Sequence, residues 1–387
     1  MHTVTRLLAA LLLLAAGVAW GQIKVGVTLS LTGPAASLGI PERDTIALFP
    51  KEMAGQKVEY VVLDDASDTT TAVKNAKRLV AEDRVDVILG PSLTTSSLAM
   101  LDIIAEAGTP TISLASSARI ILPMDAKRQW MFKTPQTDVQ MASGIMEHAA
   151  ARGLKTLAYI GQADTLGEAF YAEVAKQAQA HGSRIVASER FNPRDTSVVG
   201  QVLRIIAARP EAVVIGAAGT PAALPPKTLV ERGYKGVIYH NHGVGNPDFL
   251  RVCGKECEGT HLPASPVLVA AQLPESHPAK KVALDYIRRY EAAYGAGTVT
   301  AFGAYAWDAG LLLQRAIPEA LKSAKPGSPE FRKALRDALE RVKALPVTNG
   351  IVTMTPEDHL GLEQRARVMV RIVGGKWVLE PSARSAE

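Results

Sequence analysis

Apolar and polar residues alternate in short runs along this chain, and the runs lay out a repeating order of strand, loop and helix. Ile23, Val25, Val27 and Leu29 recur at every second position and predict a first strand. Val58 to Leu63 predicts a second, and Val85 to Leu89 a third, ended by Gly90-Pro91. Helices are predicted over 41–53 and 94–106, and another strand follows Pro110. Ala72, Val73, Ala76, Leu79 and Val80 share one helical face, with Lys74, Lys77 and Arg78 outside it. From Val139 the order repeats, with helices over 139–152, 166–181, 197–208 and 221–232 and strands over 156–160, 184–190, 212–215 and 237–240. Regular alternation of this kind predicts an α/β fold: doubly wound layers, parallel sheets with helices on both faces. A helical block over 278–294, 301–323 and 329–342 follows. The chain then returns to strands over 351–354, 367–373 and 376–379, the last two joined at Gly374-Gly375.

Small polar residues gather at the strand ends. Thr94, Thr95, Ser96 and Ser97 crowd a helix start, and Ala115-Ser116-Ser117 ends the next strand. Side by side at the carboxyl edge of a parallel sheet, the two clusters would form a floor for a carboxylate. Ordinary helix capping also accounts for the hydroxyls and, taken alone, is their commoner role. The second unit echoes the first: Val213-Val214-Ile215-Gly216 leads to Thr220, which fits an N-cap, and Pro221, which fits the first helical position. Each half is therefore expected to aim a helix N-terminus at a common crevice.

Composition narrows the function. The chain has 387 residues, enough for two domains, with 47% apolar residues and a net charge of +5. No dense Lys/Arg block is present, so the excess is a weak bias toward anionic ligands and not a nucleic-acid footprint. Arg6, the apolar run Leu7–Val18 and Ala19-Trp20-Gly21 read as an export leader over residues 1–21, too short to span a bilayer. The mature protein is expected to be periplasmic. Residues 382–387 read as a loose tail.

The only cysteines, Cys253 and Cys257, read as a local disulfide in an oxidising compartment. A metal site is the rival reading; it needs further ligands, and His242 and His261 show no zinc spacing. No P-loop, G-x-G-x-x-G, EF-hand or G-x-S-x-G motif occurs, so no cofactor, metal or enzymatic activity is expected. His240-Asn241-His242 puts two rings on one face of a strand. Ligand-lining, structural and metal roles all remain open for that pair.

Several stretches resemble a known family: IKVGVTLSLTGPAASLG, VVLDDASDTTTAVKNAKRLVAEDRVDVILGPSLTTSS, PTISLASS and HGVGNPDFL. Together with the leader, they are similar to the periplasmic branched-chain amino-acid-binding (Leu/Ile/Val-binding) proteins, solute receptors of ABC importers with the type I periplasmic-binding fold. The likeness covers essentially the whole mature chain, and the 64–97 block is its most specific part. It implies two lobes joined by a three-strand hinge, with ligand held between them and closure driven by binding. Lobe 1 would comprise 22–135 plus 269–349, and lobe 2 136–268 plus 350–381. Crossings are expected near Thr134–Gln136, Ser265–Ala270 and Thr348–Thr353. The implied partner is a membrane permease, and the receptor is expected to be a monomer.

The resemblance also implies a ligand-binding set. Thr94 and Thr95, with Ala115, Ser116 and Ser117, match the family's carboxylate subsite. Leu38 and Leu166 stand where the family carries aromatic residues, and Thr220 falls near a third. The family's acidic partner for a ligand ammonium precedes a Gly-Val-Gly-Asn-like turn; here His242 stands before Gly243-Val244-Gly245-Asn246. A buried ammonium without a carboxylate partner costs several kcal/mol. The expected ligand therefore keeps the carboxylate, lacks the α-ammonium and carries a flat or branched apolar body. An aromatic acid fits best, with His242 bonding a ring hydroxyl. Arg119, just past the serine cluster, would either neutralise the acid or lie on the surface. A branched-chain or other amino-acid receptor, a sensing module for a membrane signalling partner and an exported hydrolase are the competing readings.

Overall fold

The computed structural model describes residues 21–363 and 366–381. Apart from Gly21, the expected leader lies outside the described residues, as does the tail over 382–387. The first unit contains β1 (Ile23–Leu29), α1 (Ala36–Ala47), β2 (Glu52–Met53), β3 (Gln56–Asp64), α2 (Thr69–Ala81), β4 (Val87–Leu89), α3 (Thr94–Glu106), β5 (Thr111–Ser113) and β6 (Met131–Lys133). Its sheet runs β2-β3-β1-β4-β5-β6, parallel except for the β2–β3 hairpin. The core strands are buried on both faces, which explains their near-continuous apolar sequences.

The second unit contains α4 (Asp138–Ala151), β7 (Thr156–Gln162), α5 (Thr165–Ala180), β8 (Arg184–Phe191), α6 (Val199–Ala207), β9 (Ala212–Gly216), α7 (Leu224–Glu231), β10 (Val237–His240), α8 (Pro247–Cys253) and β11 (His261–Ala264). The helical block is α9 (Lys280–Tyr294), α10 (Ala301–Ala320) and α11 (Pro329–Leu339). It is followed by the hairpin β12 (Leu345–Val347) and β13 (Gly350–Val352), then β14 (Val368–Val373) and β15 (Lys376–Leu379). The second sheet runs β15-β14-β11-β10-β9-β7-β8, antiparallel where β14 pairs with β11 and with β15 and parallel elsewhere. Alternate residues of β7 feed opposite cores: Ala158 and Ile160 pack with α6 and α8, Leu157 and Tyr159 with α4 and α5.

Helices α10 and α11 return to the first sheet, where Phe302, Tyr305, Leu312, Leu313 and Leu335 join its core. Two elements differ from the periodicity. The first helix begins at Ala36 and not at Pro41, and residues 52–53 are strand. Pro41 lies inside that helix, whereas a proline near a helix start reads from sequence as its first residue. Residues 350–362, expected in the second lobe, pack into the first core through Val352, Met354, Leu360 and Leu362, as does Ala366. His359 stacks on Phe132 at 4.0 Å and its carbonyl accepts from the Lys133 N–H at 3.2 Å, so this segment covers the open edge of β6.

Residues from all three expected crossings meet at one buried node. Asn349 Oδ1 accepts from Gln136 Nε2 at 2.8 Å and from Ser265 Oγ at 2.6 Å, while its Nδ2 donates to Asp308 Oδ2 at 2.7 Å. Burial pushes the Asp308 carboxyl up to about 7, against the pull of its bonds from Thr348 and Asn349. Cys253 and Cys257 are disulfide-bonded, with Cα atoms 5.7 Å apart, at the end of α8. Among the described residues, no helix is long and apolar enough to cross a membrane.

Candidate functional site

A cleft lies between the two units, above the hinge node. Its cavity is small, about 40 Å³, well below the roughly 300–1,000 Å³ of drug-sized ligand sites, because the two walls stand close together. The first unit contributes Leu38, Ser92, Leu93, Thr94, Thr95, Leu114, Ala115 and Ser116, the second Gln162, Asp164, Leu166, Ala218, His242 and Gly243. Pro135, Phe302 and Tyr305 complete the lining. The walls touch. The Ala301 N–H donates to the Gly245 carbonyl at 2.8 Å, and a Cβ on Gly219, whose φ is +68°, would come within 3.1 Å of Leu38 Cδ1.

The first wall is built at the start of α3. Its N-cap is Leu93, whose side chain can accept nothing, so the opening N–H groups of α3 lack a side-chain partner. The Thr94 hydroxyl is buried without a hydrogen-bond partner. Ser96 and Ser97 of the hydroxyl cluster are buried outside the lining; Ser97 bonds the Leu93 carbonyl at 2.9 Å and Ser113 Oγ at 2.8 Å, and the Ser96 hydroxyl has no partner. Unpaired helix N–H groups carry partial positive charge and, with a free hydroxyl, make a cradle for a carboxylate. Behind the cradle, Ser92 hydrogen-bonds Glu42, whose carboxyl is pushed up by burial against that bond.

The second wall sets the apolar Leu166 and Ala218 beside the polar side chains of Gln162, Asp164 and His242. β10 ends at His240, and His242 opens a separate 3-10 turn, so the two rings do not share a strand face. His240 packs edge-on against Phe249 at 5.0 Å in the second core, whereas His242 faces the cleft, edge-on to Tyr305 at 6.5 Å. Burial, aided by the charge of Lys133, lowers His242 to about 3 despite a bond with the Gln136 backbone, so its imidazole is neutral. His242 Nδ1 and Tyr305 Oη are both buried without partners. Lys133 itself is buried, and desolvation lowers it to about 7 against the pull of Asp138 and Asp358.

Two expected ligand residues lie outside the lining. Ser117 is buried with its hydroxyl on Asp138 Oδ2 at 2.8 Å, where it braces the start of α4. Thr220 caps no helix: it lies within a 3-10 turn that follows Gly219, and α7 starts only at Leu224, ahead of Pro225. Ala218 lines the cavity in its stead. Arg119 is exposed. Sequence spacing gave no signal for Tyr305 and Phe302, which arrive from α10, nor for Gln162. Asp164, which no sequence motif marks, is the N-cap of α5, accepting from the Gly167 N–H at 3.0 Å.

Comparison with known proteins agrees with this architecture. A family model described as periplasmic binding protein matches residues 22–376. A Leu/Ile/Val-binding protein homolog 3 of Brucella melitensis is 23% identical over 301 residues, 75% of this chain and 78% of the relative. A crystal structure of an extracellular ligand-binding receptor from Rhodopseudomonas palustris HaA2 is 44% identical, with a TM-score of 0.90, covering 93% of this chain and 100% of that one. A solute-binding protein of an ABC transporter from Rhodopseudomonas palustris BisB5, solved with 3,4-dihydroxybenzoic acid, is 21% identical, with a TM-score of 0.78, covering 93% of this chain and 96% of that one.

Proposed function

The chain belongs to the periplasmic binding protein family, and on that premise we propose that it is an exported receptor delivering a small aromatic carboxylate to an ABC-type membrane permease. Residues 1–21 act as the cleaved leader in this reading, and the Cys253–Cys257 bond suits an oxidising compartment. The observation that carries it is the set of unpartnered polar atoms in the cleft: Thr94 Oγ1, His242 Nδ1 and Tyr305 Oη. Buried polar atoms of this kind are costly until something bonds them. The free α3 N–H groups and Thr94 take the carboxylate, the apolar groups Leu38, Leu166 and Phe302 enclose the ring, and His242 with Tyr305 bonds a ring hydroxyl. Neutral His242 offers an ammonium no counter-charge, and Lys133 nearby would repel one. The distant fold relative that holds 3,4-dihydroxybenzoic acid is consistent with such a guest.

One observation favours an amino-acid ligand instead: Asp164 lines the cleft and is acidic. It already caps α5, and burial raises its carboxyl against the Gly167 and Leu166 N–H bonds. Thermal denaturation with benzoate, 3,4-dihydroxybenzoate and leucine separates the readings. The dihydroxy acid should raise Tm most and leucine not at all, because only a ligand of the folded state stabilises it. Stabilisation by leucine alone would establish the amino-acid reading.

A further inference from the structure

Outside the cleft, three metal-ligating side chains from distant parts of the sequence converge in the second lobe. His148 lies in the last turn of α4, His261 opens β11, and Glu380 follows β15. Glu380 Oε2 lies 3.2 Å from His148 Nε2 and 3.0 Å from His261 Nδ1. All three ligand atoms lie within 4.8 Å of one another. A tetrahedral ion with bonds of about 2.0 Å has ligands about 3.3 Å apart, so only small side-chain shifts are needed to admit one.

The surroundings are those of a held site. His148 Nδ1 is 2.8 Å from Tyr239 Oη, an outer hydrogen bond that sets the ring so that Nε2 points at Glu380. The two imidazoles are packed with centroids 4.9 Å apart. His261 is 4% exposed, while the His148 and Glu380 side chains remain 19% and 17% exposed, which leaves one open side for a water ligand. Burial raises the Glu380 carboxyl, but the bonds from His148 and His261 outweigh it and hold the group down at about 2, so it is an anion.

We propose that His148, His261 and Glu380 bind one divalent transition-metal ion, with zinc the ion best suited to two imidazoles, one carboxylate and a water. In the bound form each imidazole is neutral and presents a bare nitrogen to the ion. The His148 proton moves to Nδ1 and donates to Tyr239 Oη, the His261 proton moves to Nε2, and the carboxylate is already ionised. The ion joins α4, which leaves the hinge at Thr137, to β11 and to the chain beyond β15, and so ties the last described segment to the second lobe.

The test uses the mature chain, free of any affinity tag and treated with chelator, titrated calorimetrically with zinc and spectroscopically with cobalt(II). The expected result is one equivalent bound, tetrahedral cobalt absorption, and a loss of affinity of about 10-fold or more in each of Glu380→Gln and His148→Gln. Circular dichroism without metal and titration of the cleft ligand check that the variants fold; if one fails, the other decides. No saturable binding, or the same affinity in wild type and folded variants, overturns the proposal and leaves the cluster as an ion-pair network.

Discussion

Two helices open onto the cleft, one from each lobe, and their first turns differ in one respect. At α5, Asp164 places its own carboxylate on the N-terminus, bonding the Gly167 N–H at 3.0 Å. At α3, the N-cap is Leu93, no side chain bonds the opening N–H groups, and Thr94 leaves its hydroxyl free. A helix terminus that already holds an anion has little left to offer another; one without a cap is completed by the ligand. The sequence led us to expect both halves to present an anion-binding helix tip. In the structure only the first lobe leaves its helix tip uncapped; in the second, Asp164 occupies the tip beside Leu166 and a neutral His242.

The strongest way to break this contrast is to make α3 resemble α5. In Leu93→Asp the helix gains a carboxylate cap, and affinity for an aromatic acid should fall by about 100-fold or more, since two anions would then compete for one buried site. The unliganded protein should hold or gain stability, by about 1 kcal/mol, because capping is favourable. Calorimetric titration and thermal melts measure both; retained affinity would mean the acid sits elsewhere.

Thr94→Val keeps the shape and removes the hydroxyl, and it should weaken acid binding by about 10- to 100-fold, the range for a hydrogen bond to a charged group. On the opposite wall, Leu166→Tyr reduces the space for the ring. It should cost a ring-bearing acid about 10-fold while sparing a short aliphatic acid, a split that competition binding reads directly.

The smallest effect is on pH. Lys133 lies near 7, so its charge, which attracts a carboxylate, is present below that value and lost above it. Affinity should decline a few-fold between about pH 6 and about pH 9, and Lys133→Gln should flatten the profile. His242, lowered to about 3, contributes no change in that window. An inflection near 6.5 that His242→Gln abolishes would contradict a neutral His242.

The alternation of strands and helices was legible because buried parallel strands and amphipathic helices impose their periods locally. So was the hydroxyl cluster at 94–97, since a strand end followed by small polar residues is itself a local pattern. Positions governed by long-range packing were not legible. Pro41 reads as a helix start but lies inside α1. Thr220 has the composition of an N-cap, yet the paired Pro225 and Pro226 move the start of α7 to Leu224. His240 and His242 look equivalent at spacing two until the strand ends between them. Residues 350–362 follow the third crossing in sequence, but their apolar side chains join the core of the first lobe, and His359 stacks at its β6 edge. Tyr305 and the His148–His261–Glu380 cluster depend on segments more than a hundred residues apart, which no periodicity reports.

The orientation of the bound acid tests the account most directly. A crystal structure of the chain with 3,4-dihydroxybenzoate should place the carboxylate on the Thr94 and Thr95 N–H groups and the Thr94 hydroxyl, with a ring hydroxyl on His242 Nδ1. A carboxylate directed at His242, with the α3 N-terminus left to water, would contradict it.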